Sequence, residues 1–151
     1  MNKLESRLNI CNLSYRRKKQ ACIAKIETPI ILTNKGLIPK QSTIDYSGCL
    51  LGGKAIFFEA KETKSKTSFA LANIKQHQIE YLKFVTQMKA ETFFIIHFYN
   101  LYMDEAFIVP VELVTQYWDE ARENDGRKSI PIDEFNKDWL VPIEDYLKIN
   151  Q

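Results

Sequence analysis

Asp45, Glu59 and Lys61 are the residues of this 151-residue chain whose types and spacing could do chemistry. Side chains on a strand alternate faces. In the run Ile56-Phe57-Phe58-Glu59-Ala60-Lys61, Ile56, Phe58 and Ala60 therefore point one way, and Phe57, Glu59 and Lys61 the other. An acid and a base thus share one face of a greasy strand. Upstream runs Ser42-Thr43-Ile44-Asp45-Tyr46, and between the two stretches Leu51-Gly52-Gly53 offers the positive φ angles of a tight hairpin loop. An antiparallel register closing there pairs residues whose numbers sum to about 104, which sets Asp45 across from Glu59. Carboxylates so paired have Cβ atoms ~4.5–5.5 Å apart, a repulsive placement unless a cation lies between them. A hard divalent metal ion supplies that charge, and the chemistry it suggests is that of a metal-dependent nuclease. A second Glu-x-Lys, Glu62-Thr63-Lys64, shows that the tripeptide by itself equally describes an exposed ion pair. Glu59 and Lys61 differ in ending a β-branched and aromatic run, whereas Glu62 to Lys66 reads as a polar exit loop.

The elements that must hold these residues follow from periodicity. Asn2 to about Gln20 reads as a helix burying Leu4, Leu8, Cys11 and Tyr15, with Asn2 and Glu5 as a capping pair. It ends in Arg16-Arg17-Lys18-Lys19, cations that suit a helix C-terminus and equally a phosphate backbone. Ala21 to Glu27 and Pro29 to Thr33 read as one strand with an irregular continuation. Asn34-Lys35-Gly36 is a turn signal, and Leu37 to Gln41 reads as an extended connection into the Asp45 strand. After Lys61, Lys64 and Lys66 stand in a polar segment able to line a backbone groove. From Leu71 or Asn73 to Ala90 the pattern is helical, with Ile74, His77 or Gln78, Tyr81, Leu82, Val85 and Met88 on one side. A buried Gln78 there must spend its amide on a backbone group, a carboxylate or a metal-bound water. Glu91 to Tyr99 reads as a central strand in which His97 is a hydrogen-bonded core residue. Asp104 to Val109 is its neighbour, and Pro110 opens a helix to about Asn124. The tail carries Trp139, Val141, Ile143 and a short terminal helix. Helix, strands, hairpin, helix, strand, strand, helix predicts a single α/β domain over residues 1–151: a mixed β-sheet flanked by helices.

Composition excludes other classes. Hydrophobic residues make up 45% and charged ones 26%, so neither disorder nor a fibre is indicated. No apolar run approaches the ~20 residues of a membrane span, and no secretory leader is visible, which predicts a cytoplasmic protein without membrane contact. Cys11, Cys22 and Cys49 contain no Cys-x-x-Cys pair and read as reduced hydrophobes. Residues 1–75 carry fourteen Lys or Arg against five Asp or Glu, a net of +9, while residues 76–151 carry seven against fourteen, a net of −7. The half with the proposed site is strongly basic, as a phosphate polyanion would require.

In Ser42-Thr43-Ile44-Asp45-Tyr46-Ser47-Gly48, Phe58 to Phe69, His77-Gln78-Ile79-Glu80 and Gly126 to Pro131, the chain resembles the RecU family of Holliday junction resolvases. The resemblance covers roughly Leu4 to Pro131. It implies a restriction-endonuclease-like fold of the PD-(D/E)XK superfamily, a homodimer, and symmetric cutting of four-way DNA junctions with Mg2+ or Mn2+. It also implies that Thr43, Asp45, Glu59 and Gln78 hold the metal, directly or through water, that Lys61 stabilises the transition state, and that Glu5 matches an acid of the first helix. Recombinase or branch-migration proteins are further partners in keeping with it. Two departures stand out: the basic N-terminal tail common in cellular members is absent, and of their long stalk only Asn34 to Gln41 remains. The short stalk keeps open a nuclease of the same superfamily that cuts duplex. A junction-binding or recombinase-modulating protein that does not cut is a second alternative, against which the intact Asp45, Glu59 and Lys61 argue, since a pure binder has no need of carboxylates that repel phosphate. The lysine, isoleucine and asparagine content suits a phage or a small AT-rich bacterial genome.

Overall fold

The apolar runs Ile56-Phe57-Phe58 and Phe93-Phe94-Ile95-Ile96 become neighbouring strands because each is hydrophobic on both faces and must be covered on both. In the computed structural model, which describes residues 3–39 and 43–151, helix α1 (Lys3–Arg17) leads into β1 (Ala21–Lys25), β2 (Ile30–Thr33), β3 (Gly36–Pro39), β4 (Tyr46–Leu50) and β5 (Ala55–Thr63). Then come β6 (Ser68–Ala70), α2 (Gln76–Gln87), β7 (Glu91–Phe98), β8 (Glu105–Val109), α3 (Val111–Glu123), β9 (Ser129–Pro131) and β10 (Leu140–Pro142). Six strands form the main sheet in the order β1-β4-β5-β7-β8-β10. Only β5 and β7 run parallel, joined by the crossover through α2; the other pairs are antiparallel.

Each face of the sheet has its own core. On one side α1 buries Leu4, Leu8, Cys11 and Tyr15 against Ile23, Tyr46, Ile56, Phe58, Phe93 and the C-terminal Tyr146. Tyr46 stacks on Phe58 and Phe58 on Phe93, each with ring centroids 4.7 Å apart. On the other side α2 and α3 bury Ile79, Leu82, Val85, Val111 and Val114 against Phe94, Ile96, Phe98 and Phe107. The alternation within β5 divides Ile56, Phe58 and Ala60 from Phe57 as predicted. The expected mixed sheet flanked by helices is the observed architecture.

Several expectations need correction. Pro29 does not interrupt a single strand: the ladder of β1 to β4 runs from Ala21 to Lys25, and Ile30–Thr33 pairs instead with Gly36–Pro39 as a separate hairpin. Its turn holds Gly36 at φ 102°, so the turn signal holds while its flanks are paired strands rather than irregular chain. Strand β5 continues through Glu62 and Thr63 rather than ending in a loop, because β7 supplies ladder partners as far as Phe98. In α2 the buried stripe uses Ile79, and Met88 is exposed beyond the helix end. Met88 therefore does not join the buried stripe. Helix α1 stops at Arg17, leaving Lys18 and Lys19 in a turn with Lys19 at φ 57°. No α-helix closes the described chain: the predicted terminal helix is a single 3-10 turn at Ile143–Asp145, after β10 has docked on β8. Asn2 of the expected capping pair lies outside the described residues, and the N–H of Leu4 is instead accepted by Glu62 Oε1 at 2.7 Å.

Candidate active site

The register around Gly52 and Gly53, both at positive φ, places the site. Tyr46 pairs with Phe58 and Ser47 with Phe57, as the predicted sum of 104 requires. The N–H of Leu50 reaches Lys54 O at 2.8 Å and that of Ile26 reaches Asp45 O at 2.7 Å. Even-numbered residues of β4 therefore bond to β5 and odd-numbered ones to β1. By that alternation Asp45 and Glu59 oppose one another as a non-hydrogen-bonded pair, the closer kind, with Cα atoms ~4.5 Å apart. Asp45 lies one residue before β4, between Ile44, buried in the α2 core, and Tyr46, buried in the α1 core. These two anchors on opposite faces fix its backbone.

Side chains and backbone then interlock. Asp45 N–H donates to Glu59 Oε2 at 3.1 Å, and Ala60 N–H donates to Asp45 Oδ2 at 3.0 Å. Glu59 Oε1 accepts from Gln78 Nε2 at 2.7 Å and lies 3.7 Å from Lys61 Nζ. Gln78 is oriented by its other end, where Oε1 accepts the N–H of Lys75 at 2.9 Å. Its amide nitrogen thus faces the carboxylate, and Gln78 holds Glu59 from the first turn of α2. Glu59 is 1% exposed. Burial first, and the charge of Asp45 second, push its carboxyl up to about 8, with Lys61 pulling the other way.

Lys25, which no local pattern in the sequence marks, completes the cluster. Its Nζ lies 3.4 Å from Asp45 Oδ1 and 3.9 Å from Glu5 Oε1, and 5.7 Å from the centroid of the Tyr46 ring. The Tyr46 hydroxyl in turn lies within donating distance of Glu5 O at 3.2 Å and of Asn9 Oδ1 at 2.8 Å, tying the first turns of α1 to the sheet. Burial is the main cause raising the Glu5 carboxyl above its ordinary value. Glu5, Asp45, Glu59, Gln78, Lys25 and Lys61 are thereby gathered at one end of β5. Thr43 is exposed, two residues before Asp45.

The proposed DNA-contacting residues are not all beside this cluster. Arg16, Arg17, Lys18 and Lys19 are exposed at the far end of α1 from Glu5, about 16 Å along a helix of 1.5 Å rise per residue. Lys64 and Lys66 are exposed just beyond β5, close in sequence to Lys61. His97 is a buried core residue whose Nε2 pairs with Tyr102 O at 2.7 Å, and burial lowers its pKa.

Among the described residues no three His, Cys, Asp or Glu side chains form a metal cage. The donor set nevertheless fits a hard divalent ion that keeps most of its waters. Two facing carboxylates, one of them raised in pKa by burial and then by the charge of the other, make a pair whose ionised form such an ion stabilises.

Comparison with known proteins bears on the same surface. The family model described as Recombination protein U matches residues 2–150. The chain is similar to a protein of Oceanobacillus iheyensis named Holliday junction resolvase RecU, 36% identical over 152 residues, covering 92% of this chain and 76% of that one. It is similar to a Staphylococcus aureus protein of the same name, 35% identical, covering 98% and 67%. In fold it resembles the solved structure of Hjc from Archaeoglobus fulgidus, a Holliday junction resolvase, with a TM-score of 0.51 at 14% identity over 93% of this chain and 97% of that one.

Proposed function

The chain belongs to the RecU family, and on that premise we propose that it is a divalent-metal-dependent endonuclease that resolves Holliday junctions, with Asp45, Glu59 and Lys61 as catalytic residues. The observation that carries the reading is the Asp45–Glu59 pair, interlocked across two strands with Lys61 on the Glu59 face. Asp45 and Glu59 would hold the ion, with Thr43 supporting it directly or through water and Gln78 supporting it by holding Glu59, since its oxygen is spent on the Lys75 N–H; Mg2+, or Mn2+ in its place, suits this oxygen-rich set. When bound, the ion supplies Lewis-acid charge and a more acidic water for attack on phosphorus.

The chain's own groups do the rest. Lys61 places a cation where negative charge grows on the phosphoryl oxygens as water adds and the bond to the leaving sugar oxygen breaks. Gln78 and the N–H of Asp45 fix both oxygens of Glu59, so the carboxylate is oriented before substrate arrives. Lys25 holds the outer oxygen of Asp45. Arg16 to Lys19, Lys64 and Lys66 would track the phosphate backbone.

A four-way junction cut symmetrically needs two such sites, so the active form is a homodimer. The β2–β3 hairpin supports this: Ile30, Ile31, Leu32, Leu37 and Ile38 are all exposed on it. No helix among the described residues is long and apolar enough to cross a membrane. The work suits the cytoplasm of a bacterial cell or phage-infected host, beside recombinase and branch-migration proteins. Incubating the purified protein with Mg2+ and either a four-way junction or linear duplex of the same sequence tests the reading. Paired nicks in the junction and an intact duplex are expected; cutting of both alike would make the protein a duplex nuclease, and cutting of neither a binder.

A further inference from the structure

Cys22 and Cys49 are directly paired across β1 and β4. Residues so opposed project from the same face, and their neighbours Ala21 and Ile23 are buried on the face beneath α1, so the two thiols share the other. Both are exposed and outside any disulfide, Cys49 donating its Sγ–H to Leu50 O at 3.4 Å, while Cys11 is buried and donates its own to Glu144 O at 3.1 Å. Beside the pair, the strands approach closely: a Cβ on Gly48 would fall 2.1 Å from Cys22 O, so glycine is required there. The same shallow cleft is lined by Arg16, Lys19 and Gln20.

We propose that Cys22 and Cys49 are a modification site, a vicinal dithiol that closes to a reversible intramolecular disulfide on reaction with a low-molecular-weight disulfide. One thiolate attacks a sulfur of the small disulfide, forming a mixed disulfide and expelling one small thiolate. The second cysteine attacks the protein sulfur of that mixed bond and expels the other. The two cysteines lose two protons and two electrons, and the small disulfide is reduced to two thiols. Arg16 and Lys19 at the rim attract an anionic reagent such as oxidised glutathione.

The geometry fits a labile link rather than a staple. By the alternation that makes Ile26 and Asp45 a hydrogen-bonded pair, Cys22 and Cys49 form one too, with Cα atoms ~5.5 Å apart, inside the ~4.4–6.8 Å that a disulfide spans. Their Cβ atoms must close to ~3.5–4.5 Å, which strains the strand pair and makes the bond easy to reduce.

The test is oxidation of the full chain with oxidised glutathione at neutral pH, read by intact mass, non-reducing gel and peptide mapping. The expected product is a monomer lighter by two hydrogen atoms, with Cys22 linked to Cys49, Cys11 still a thiol, and full reversal by dithiothreitol. C11S should give the same link, whereas C22S and C49S should each stop at a single glutathione adduct. Two stable adducts on the native chain, linkage only between chains, or no reaction would each overturn the proposal.

Discussion

Glu59 accepts the backbone N–H of Asp45 through Oε2, while Asp45 accepts the N–H of Ala60 through Oδ2. Each acid is thus held by the strand that carries the other. The interlock keeps two carboxylates together that charge alone would separate, and it leaves Glu59 pushed up to about 8 by burial and by Asp45. Against its ordinary value near 4.5, the folded chain binds an extra proton between those limits. The stability this proton confers is complete below about pH 4.5 and is lost as pH rises toward about 8. A divalent ion that binds the ionised pair offsets that loss and releases the proton. Melting with Mg2+ and with EDTA should show a gap that widens as pH rises, and Glu59→Gln should flatten it. A gap independent of pH in the parent would place the ion elsewhere.

The Phe58 ring links three aromatic partners, Tyr46, Phe93 and Tyr146. Phe58→Ala should cost about 3–5 kcal/mol, the usual range for emptying a fully buried aromatic site. It should also weaken metal binding, because Tyr46 is the residue next to Asp45. Denaturant melts and a metal titration on the surviving folded fraction check both effects; a destabilisation below about 1 kcal/mol would mean that the stack is not packed as described.

Neutralising Arg16, Arg17, Lys18 and Lys19 together should flatten the dependence of log affinity for DNA on log salt by about 0.9 for each phosphate that is no longer neutralised. Because the cluster stands at the far end of α1 from Glu5, cleavage of bound junction should slow far less than binding weakens. An unchanged slope in filter or anisotropy titrations would reduce the cluster to neutralising the helix end.

The hairpin Ile30–Pro39 lies outside both cores, so Leu32→Ser with Leu37→Ser should leave each protomer folded, as its circular dichroism would show. Competition binding should nevertheless show a weaker preference for four-way junctions over flaps and three-way branches. The parent, with its short hairpin, should already discriminate less than a long-stalked member of the family. Undiminished preference in the double variant would assign the reading of branched shape to another surface.

The catalytic hairpin is legible in the sequence because its determinants are local. Two glycines close the loop, and the period of two then fixes which side chains meet. Lys25 is not legible, because its place beside Asp45 depends on β1 pairing with β4 across the whole hairpin, and nothing in Ala21 to Lys25 announces that pairing. The β2–β3 hairpin escapes a sequence reading for a related reason. Pro29 precedes it and its aliphatics look like core, yet they join neither core and pair with each other in solvent. Glu62 reads as a loop residue because its neighbours are polar. Only the parallel partner β7 shows that the strand continues and that Glu62 caps the start of α1.

That difference between two Glu-x-Lys copies supplies the most direct test. Glu59→Gln keeps the size and the hydrogen-bonding reach of the side chain but removes one charge from the pair that would hold the ion. Glu62→Gln keeps an acceptor oxygen for the N–H of Leu4, so it should fold and cut nearly as the parent does. The measurement is the single-turnover rate of four-way junction cleavage in Mg2+ for parent, Glu59→Gln and Glu62→Gln, with junction binding followed in EDTA. The predicted result is cleavage slowed by a factor of about 100 or more in Glu59→Gln alone, with its metal-free binding retained, because without the ion the Glu59 carboxyl already holds its proton near neutral pH. Cleavage by Glu59→Gln at the parent's rate would contradict the assignment of the Asp45–Glu59 pair as the catalytic centre.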